Sequence, residues 1–258
     1  MLLLAGIAAG AQVKVVGHRG VRFNTKTNPE TPYYENTLTA LAFAQGLGIY
    51  GAEFDVQVTG DNKIIVYHGP RIPGTDKSVQ EITFEEARSY ILPGGSRMPT
   101  LEEYLGQAKK YPETKVICEI KKQLTPEKET LAAEYVIATV KKMGMEDQVE
   151  FTTFSDWCVQ ELHRIEPKAK VIFIESGVDV HEPEYCKSRG YNAISYDLKG
   201  FYSHPDYPAR AKALGLETTL WVVNDEEAVD WAISHGIDFV SSDHPERIKA
   251  YVERLKAE

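Results

Sequence analysis

Gly51-Ala-Glu-Phe-Asp-Val-Gln-Val-Thr-Gly60-Asp-Asn-Lys-Ile-Ile-Val-Tyr-His68 reads as two extended runs, Ala52–Val58 and Ile64–His68, joined by the turn-forming cluster Thr59-Gly60-Asp61-Asn62. Such a cluster between β-rich runs makes an antiparallel hairpin. That reading decides the fold, because seven further β-rich runs lie outside it: Val13–His18, Lys115–Lys121, Val149–Phe154, Lys170–Ile174, Ala193–Tyr196, Glu217–Val222 and Asp238–Ser241. They alternate with amphipathic segments at Thr37–Leu47, Thr100–Lys110, Pro126–Lys142, Asp156–Arg164, Pro208–Leu214 and Asp225–His235. Alternation of this kind builds βα units around a parallel sheet. Nine strands are one too many for a closed barrel. Removing the return arm of the hairpin leaves eight, so the predicted class is α/β: a (β/α)8 TIM barrel with a β-hairpin above its C-terminal rim.

The rest of the chain sets bounds on this. Its 258 residues match one such barrel, about 250 residues, and we expect one domain over 13–258. A net charge of -9 argues against a nucleic-acid or anionic-membrane surface. It leaves room for a phosphate substrate, since a few cations or a metal in a cleft reverse the local potential. Cys118, Cys158 and Cys186 lack metal-ligand spacing and read as small buried hydrophobes. Residues 1–12 are apolar and end in small residues. They read as the remnant of an export signal without its basic start, which implies a periplasmic or secreted protein, or as a plug at the barrel base in a cytoplasmic one. No other stretch approaches the length of a membrane span.

A barrel of this kind carries its chemistry at strand C-termini, and ionisable residues collect there. His18 and Arg19 end the first strand; Glu53 and Asp55, two apart, share one face of the second; His68 ends the return arm; Glu119 and Lys121 repeat the two-apart spacing. A turn centred between Gly60 and Asp61 would set His68 opposite Glu53. Three carboxylates on one rim repel unless a cation joins them, and hard oxygen ligands favour one Mg2+ or Ca2+. Two histidines supply acid–base work near neutral pH, and Arg19 and Lys121 supply charge for an anion. Together these groups describe phosphoryl transfer. Singly, each has a plainer reading: a structural histidine, the polar face of a strand, an ordinary ion pair. His163, His181, His204, His235 and His244 have no partner pattern and read as surface or structural residues.

An ordered series of short motifs runs through the same positions: His18-Arg19-Gly20, Glu35-Asn36-Thr37, Glu53-Phe54-Asp55-Val56, Thr59, Asp61, Val66 with His68, Pro99-Thr100-Leu101-Glu102-Glu103, Glu119-Ile120-Lys121, Thr153-Phe154, Trp221-Val222-Val223-Asn224 and Ser242-Asp243-His244-Pro245. Over residues 15 to 248 the chain resembles the glycerophosphodiester phosphodiesterase family. The resemblance implies His18 and His68 as the acid–base pair; within it we expect His18 as the base and His68 as the acid. It further implies Glu53, Asp55 and Glu119 as ligands of one divalent cation, and Arg19 and Lys121 as phosphate contacts. Glu35 takes a supporting or substrate-contacting role, and Trp221 either flanks the substrate or is a core tryptophan.

The chain departs from the family pattern in places. Gly69 follows His68 where the family has Asp, Tyr34 replaces Pro before Glu35, and Val222 replaces Thr. The loop Val21–Tyr34, with Arg22, Lys26, Tyr33 and Tyr34, is long enough for a lid or a selectivity wall, while 69–97 is too short for a second domain. The implied reaction is hydrolysis of a glycerophosphodiester to sn-glycerol 3-phosphate and an alcohol, a lipid- and glycerol-metabolising activity. Its rivals are a lysophospholipase-D-like activity and a silent phosphodiester-binding barrel. Head group, choice of ion and oligomeric state are not written in the motifs.

Overall fold

The structure, a computed structural model, describes residues 13–22 and 33–257. The apolar segment 1–12 and most of the Val21–Tyr34 loop, Lys26 included, lie outside the described residues. In chain order the elements are β1 (Lys14–Gly17), α1 (Leu38–Gly46), β2 (Gly51–Val58), β3 (Ile64–Val66), α2 (Phe84–Ser89), α3 (Leu101–Ala108), β4 (Lys115–Ile120), α4 (Pro126–Met143), β5 (Val149–Thr153), α5 (Asp156–Ile165), β6 (Val171–Glu175), α6 (Pro183–Ser188), β7 (Ala193–Asp197), α7 (Leu198–Ser203), α8 (Tyr207–Ala213), β8 (Glu217–Trp221), α9 (Glu226–Ser234), β9 (Phe239–Ser242) and α10 (Pro245–Ala257). Each strand read from the sequence is present to within two residues at either end. The short helices α2, α6 and α7 and the terminal α10 are additions to the segments named above.

Eight strands pair in parallel from β1 through β2, β4, β5, β6, β7, β8 and β9, and β9 pairs back onto β1, closing the barrel. β3 is the ninth, antiparallel on β2. The barrel pairs β2 only from Gly51 to Val56, so the end of β2 and all of β3 rise beyond the rim. The hairpin stands where it was expected.

Its register differs by one. Val56 faces Val66, and the Thr59 N–H bonds the Lys63 carbonyl at 2.8 Å. The loop therefore holds three residues, Gly60 to Asn62, and Asn62 closes it at φ 64°, the usual left-handed end of a three-residue hairpin loop. An odd loop centres on Asp61, and a straight ladder would then set His68 against Phe54 rather than Glu53. Phe54 points outward and stacks on Tyr104 of α3 at 4.2 Å, both rings fully buried. The strand ends at Val66 instead, after which Tyr67 N–H takes the Asp55 carbonyl at 3.0 Å and His68 turns into the mouth.

Helix starts follow local chemistry. Thr37, Thr83, Thr100, Thr125, Ser155, Asp197 and Asp225 each accept a backbone N–H of the first turn, at about 1 kcal/mol per cap. Pro126 stands at the first position of α4, where a missing N–H costs nothing. The main core fills the layer between sheet and helices. A smaller inner layer of Val16, Ile117, Ile172, Ala193 and Phe239 packs together inside the lower barrel. Residues 69–98 pack Ile72, Val79, Ala87, Leu92 and Met98 onto Ile65 and Tyr67 of the hairpin. The three cysteines are buried and free. Among the described residues no helix is long and apolar enough to cross a membrane.

Candidate active site and metal centre

The site begins at the top of β1, where the chain must turn sharply. A Cβ on Gly17 would lie 2.1 Å from the Gly20 carbonyl oxygen, and one on Gly20 (φ 80°) would lie 2.9 Å from the Ala40 backbone. Between them Arg19 takes φ 56°, a left-handed conformation costing about 1–3 kcal/mol in a non-glycine residue. What holds it is electrostatic. The Arg19 N–H donates to Glu53 Oε2 at 2.8 Å, and its guanidinium donates to both Glu35 oxygens at 2.9 and 3.0 Å. Its Nε also lies 3.7 Å from Asp55 Oδ2.

β2 and β4 bring three carboxylates together. Asp55 and Glu119 are partners in the parallel ladder, and Glu53 is one step lower on the same face. Glu53, Asp55 and Glu119 each offer an oxygen within 4.8 Å of the others, all buried, the one such group among the described residues. Each of the first two spends one oxygen on the protein: Glu53 Oε2 on the Arg19 N–H, Asp55 Oδ2 on Asn36 Nδ2 at 2.8 Å. Glu53 Oε1 and Asp55 Oδ1 are buried with no hydrogen bond among the described residues. Glu119 Oε1 approaches Lys121 Nζ at 2.7 Å without hydrogen-bond alignment. Bare buried anionic oxygens are costly unless a cation meets them, so this donor set fits a divalent ion.

The protonation pattern says the same. Burial, then the Asp55 and Glu119 charges, push the Glu53 carboxyl well above its ordinary range. Burial and Asp55 push Glu119 up to about 7. Burial also pulls Asp55 upward, but Lys121 and Arg19 outweigh it and hold that carboxyl below its usual value.

Two imidazoles flank the triad. His18 Nδ1 is 2.6 Å from Asp243 Oδ1, a contact made by barrel closure, since Gly17 pairs with Ser242. Asp243 is held by Asn224 Nδ2 at 3.2 Å and by its own N–H to Asn224 Oδ1 at 3.0 Å. With Nδ1–H on a carboxylate, His18 presents Nε2 as a proton acceptor. Burial lowers its pKa against the opposing pull of Asp243. His68, across the mouth, is lowered to about 3, first by burial. In the free site it is a neutral imidazole, so an acid role requires an arriving anion to draw a proton onto it.

His18, Arg19, Glu53, His68, Glu119, Lys121 and Trp221 line one cavity of about 180 Å³ opening at the C-terminal rim. Asp55 and Glu35 stand directly behind it. Lys121 lies 3.5 Å from Asp55 Oδ1. Trp221 is half-buried, donates Nε1–H to the Ser195 carbonyl at 3.2 Å and meets Phe154 edge-on at 6.0 Å, so it is a wall of the mouth rather than core. The five other histidines do not line this cavity. Asn36, Asn224 and Asp243 had no role assigned from sequence, although each stands inside a motif quoted above. Arg22 bridges Glu35 at 3.3 Å and Asp243 at 3.6 Å.

Comparison with known proteins points one way. The model of the Glycerophosphoryl diester phosphodiesterase family matches residues 18–247. A crystal structure of a glycerophosphodiester phosphodiesterase from Parabacteroides distasonis is 32% identical with a TM-score of 0.88, covering 96% of this chain and all of that one. A glycerophosphodiester phosphodiesterase of Caldanaerobacter subterraneus is 27% identical over 252 residues, 91% of this chain and 95% of its own length. An Oleispira antarctica phosphodiesterase, solved in complex with the product sn-glycerol-3-phosphate, shares the fold at 20% identity and a TM-score of 0.81, covering 94% of this chain and 97% of that one.

Proposed function

The chain belongs to the glycerophosphoryl diester phosphodiesterase family and is a phosphoric diester hydrolase, and on that premise we propose that it cleaves a glycerophosphodiester to sn-glycerol 3-phosphate and an alcohol by two-histidine acid–base catalysis. The observation that carries the proposal is the buried triad of Glu53, Asp55 and Glu119, two of which line one cavity with His18 and His68.

Glu53, Asp55 and Glu119 would hold one Mg2+ or Ca2+, which would supply Lewis-acid polarisation of a phosphate oxygen. Arg19 and Lys121 attract the phosphate. Asp243 fixes the tautomer of His18, whose Nε2 takes the proton from the attacking oxygen as its bond to phosphorus forms. The bond from phosphorus to the alcohol oxygen breaks, and His68 supplies that oxygen with a proton. The attacking oxygen belongs to water or to the neighbouring glycerol hydroxyl, the second route passing through a cyclic phosphate.

One observation favours a second substrate class. Phe154, exposed just past the end of β5, lines the cavity and meets Trp221 edge-on at 6.0 Å. Two aromatic rings at the mouth suit the acyl chain of a lysophospholipid.

The test is a metal-repleted assay on glycerophosphocholine, glycerophosphoethanolamine, glycerophosphoinositol, lysophosphatidylcholine and bis-p-nitrophenyl phosphate. Chelation is expected to abolish turnover, and His18→Ala or Glu53→Ala to lower it by at least ~100-fold. Full turnover in both variants would remove the assignment.

A further inference from the structure

We propose that Gln57 is the positioning residue of His68, acting through the backbone of the loop that carries it. The proposal rests on the reading of His68 as one of the two proton-transfer groups.

The problem it solves is visible in the geometry. His18 is oriented by Asp243, whereas among the described residues the His68 imidazole has no side-chain hydrogen bond to set its direction. Its sequence neighbour is Gly69, where an added Cβ would crowd the Arg71 carbonyl at 3.1 Å and the Tyr67 ring at 3.3 Å. An acidic side chain beside the imidazole is therefore disfavoured at that position. The loop must be held from elsewhere.

Gln57 does this. It is the third residue of the face that carries Glu53 and Asp55, one step above the rim, and it is 1% exposed. Its Nε2 donates to the carbonyls of Tyr67 at 3.1 Å and His68 at 3.0 Å, and to that of Gly69. Three consecutive carbonyls, on both sides of His68 and at it, are thus gathered on one amide nitrogen. Carbonyls only accept, so the nitrogen must face them. The Gln57 oxygen accepts from Gln80 Nε2 at 2.9 Å. Gln80 is itself oriented, because the same nitrogen donates to the Lys122 carbonyl at 3.3 Å. Each amide fixes the flip state of the next, and the chain ends one residue beyond Lys121. The clamp ties the His68 loop to β2 and to the segment that follows β4.

The choice of residue follows from position. A carboxylate at 57 would set its oxygens against three carbonyl oxygens. The same face therefore changes from acid to amide as it passes from the triad to the loop. Gln80 acts one step further out, keeping the donor end of Gln57 inward.

The experiment compares Gln57→Leu, Gln57→Glu, Gln80→Leu and His68→Ala across phosphodiesters whose leaving alcohols range from choline, which needs a proton, to p-nitrophenol, which does not. Gln57→Leu and Gln57→Glu are expected to lower kcat by ~10- to 100-fold on the choline ester, as misplacement of a catalytic group by about an ångström does. KM and divalent-ion affinity should hold. The loss should shrink along the series in the pattern His68→Ala shows at larger amplitude. Gln80→Leu should give a smaller copy of it, and covers the case in which the Gln57 variants fail to fold.

In histidine-labelled protein, the His68 ring resonances should move or broaden in these variants while those of His18 stay. Equal losses on every leaving group with an unmoved His68 signal would overturn the proposal. If His68→Ala is fully active on all esters while Gln57→Leu still displaces the His68 signal, the positioning role stands and the acid–base reading of His68 falls.

Discussion

The two ends of this barrel both carry buried carboxylates, and they treat them oppositely. At the base, Glu150 accepts from Tyr50 Oη at 2.5 Å and pairs with Lys170 at 3.2 Å, while Lys170 also pairs with Glu217. Lys14 lies over the rings of Tyr50 and Phe239. Each of these charges has its partner in the protein. At the rim, Glu53 and Asp55 each keep one buried oxygen with no hydrogen bond among the described residues, and Glu53 and Glu119 are pushed toward protonation by burial and then by the Asp55 charge. The same residue type in the same cylinder is thus a satisfied element of architecture at one end and an unmet demand for a cation at the other. The unmet demand marks the working end.

That contrast can be broken most forcefully at Glu53. Glu53→Gln keeps an oxygen for the Arg19 N–H but removes a ligand charge, so activity should fall by at least ~100-fold. In chelator the melting temperature should hold or rise, because one repelling anion is gone. A fall in stability equal to that of a base-end variant would erase the distinction between the ends.

Next comes Asp243→Asn, which leaves the shape around His18 but offers no anion to Nδ1–H; kcat should drop by about 10- to 100-fold, with the ion still bound in a titration.

Acidity sharpens the comparison further. Glu119 titrates at about 7 in the folded protein, above the ordinary 4.5. Its contribution to stability is therefore complete below about 4.5 and is lost as pH rises through 7. A bound divalent ion holds the ionised form. Melts with and without chelator should show the ion's stabilising effect growing from pH 6 to pH 8; an effect that shrinks over that range would contradict the pattern.

The smallest effect belongs to the base. Tyr50→Phe leaves Glu150 with Lys170 and should cost about 1 kcal/mol of stability, with turnover unchanged in the same assay.

Strands were legible because β-branched and aromatic runs alternate with turn chemistry, and the site acids were legible because a two-residue step on a strand keeps one face. The hairpin register was misread for a physical reason. Thr59 to Asn62 holds four turn-formers, and only the Thr59–Lys63 hydrogen bond decides whether two, three or four of them are loop. The helices α2, α6 and α7 have six residues each, too few for a periodic signal. Asn36, Gln57, Asn224 and Asp243 act by holding other groups, and what they hold lies 10 to 225 positions away in the chain. No local pattern encodes such a partner. The His18–Asp243 contact exists only once the ring has closed.

That closure has a consequence for how activity is acquired. His18 follows β1, and the carboxylate that orients it follows β9. A nascent chain halted before β9 can lay down the acidic triad and the hairpin, yet it lacks the brace for its own proton acceptor. Turnover would then report completion of the cylinder, and two fragments divided between β8 and β9 should regain activity only upon reassembly.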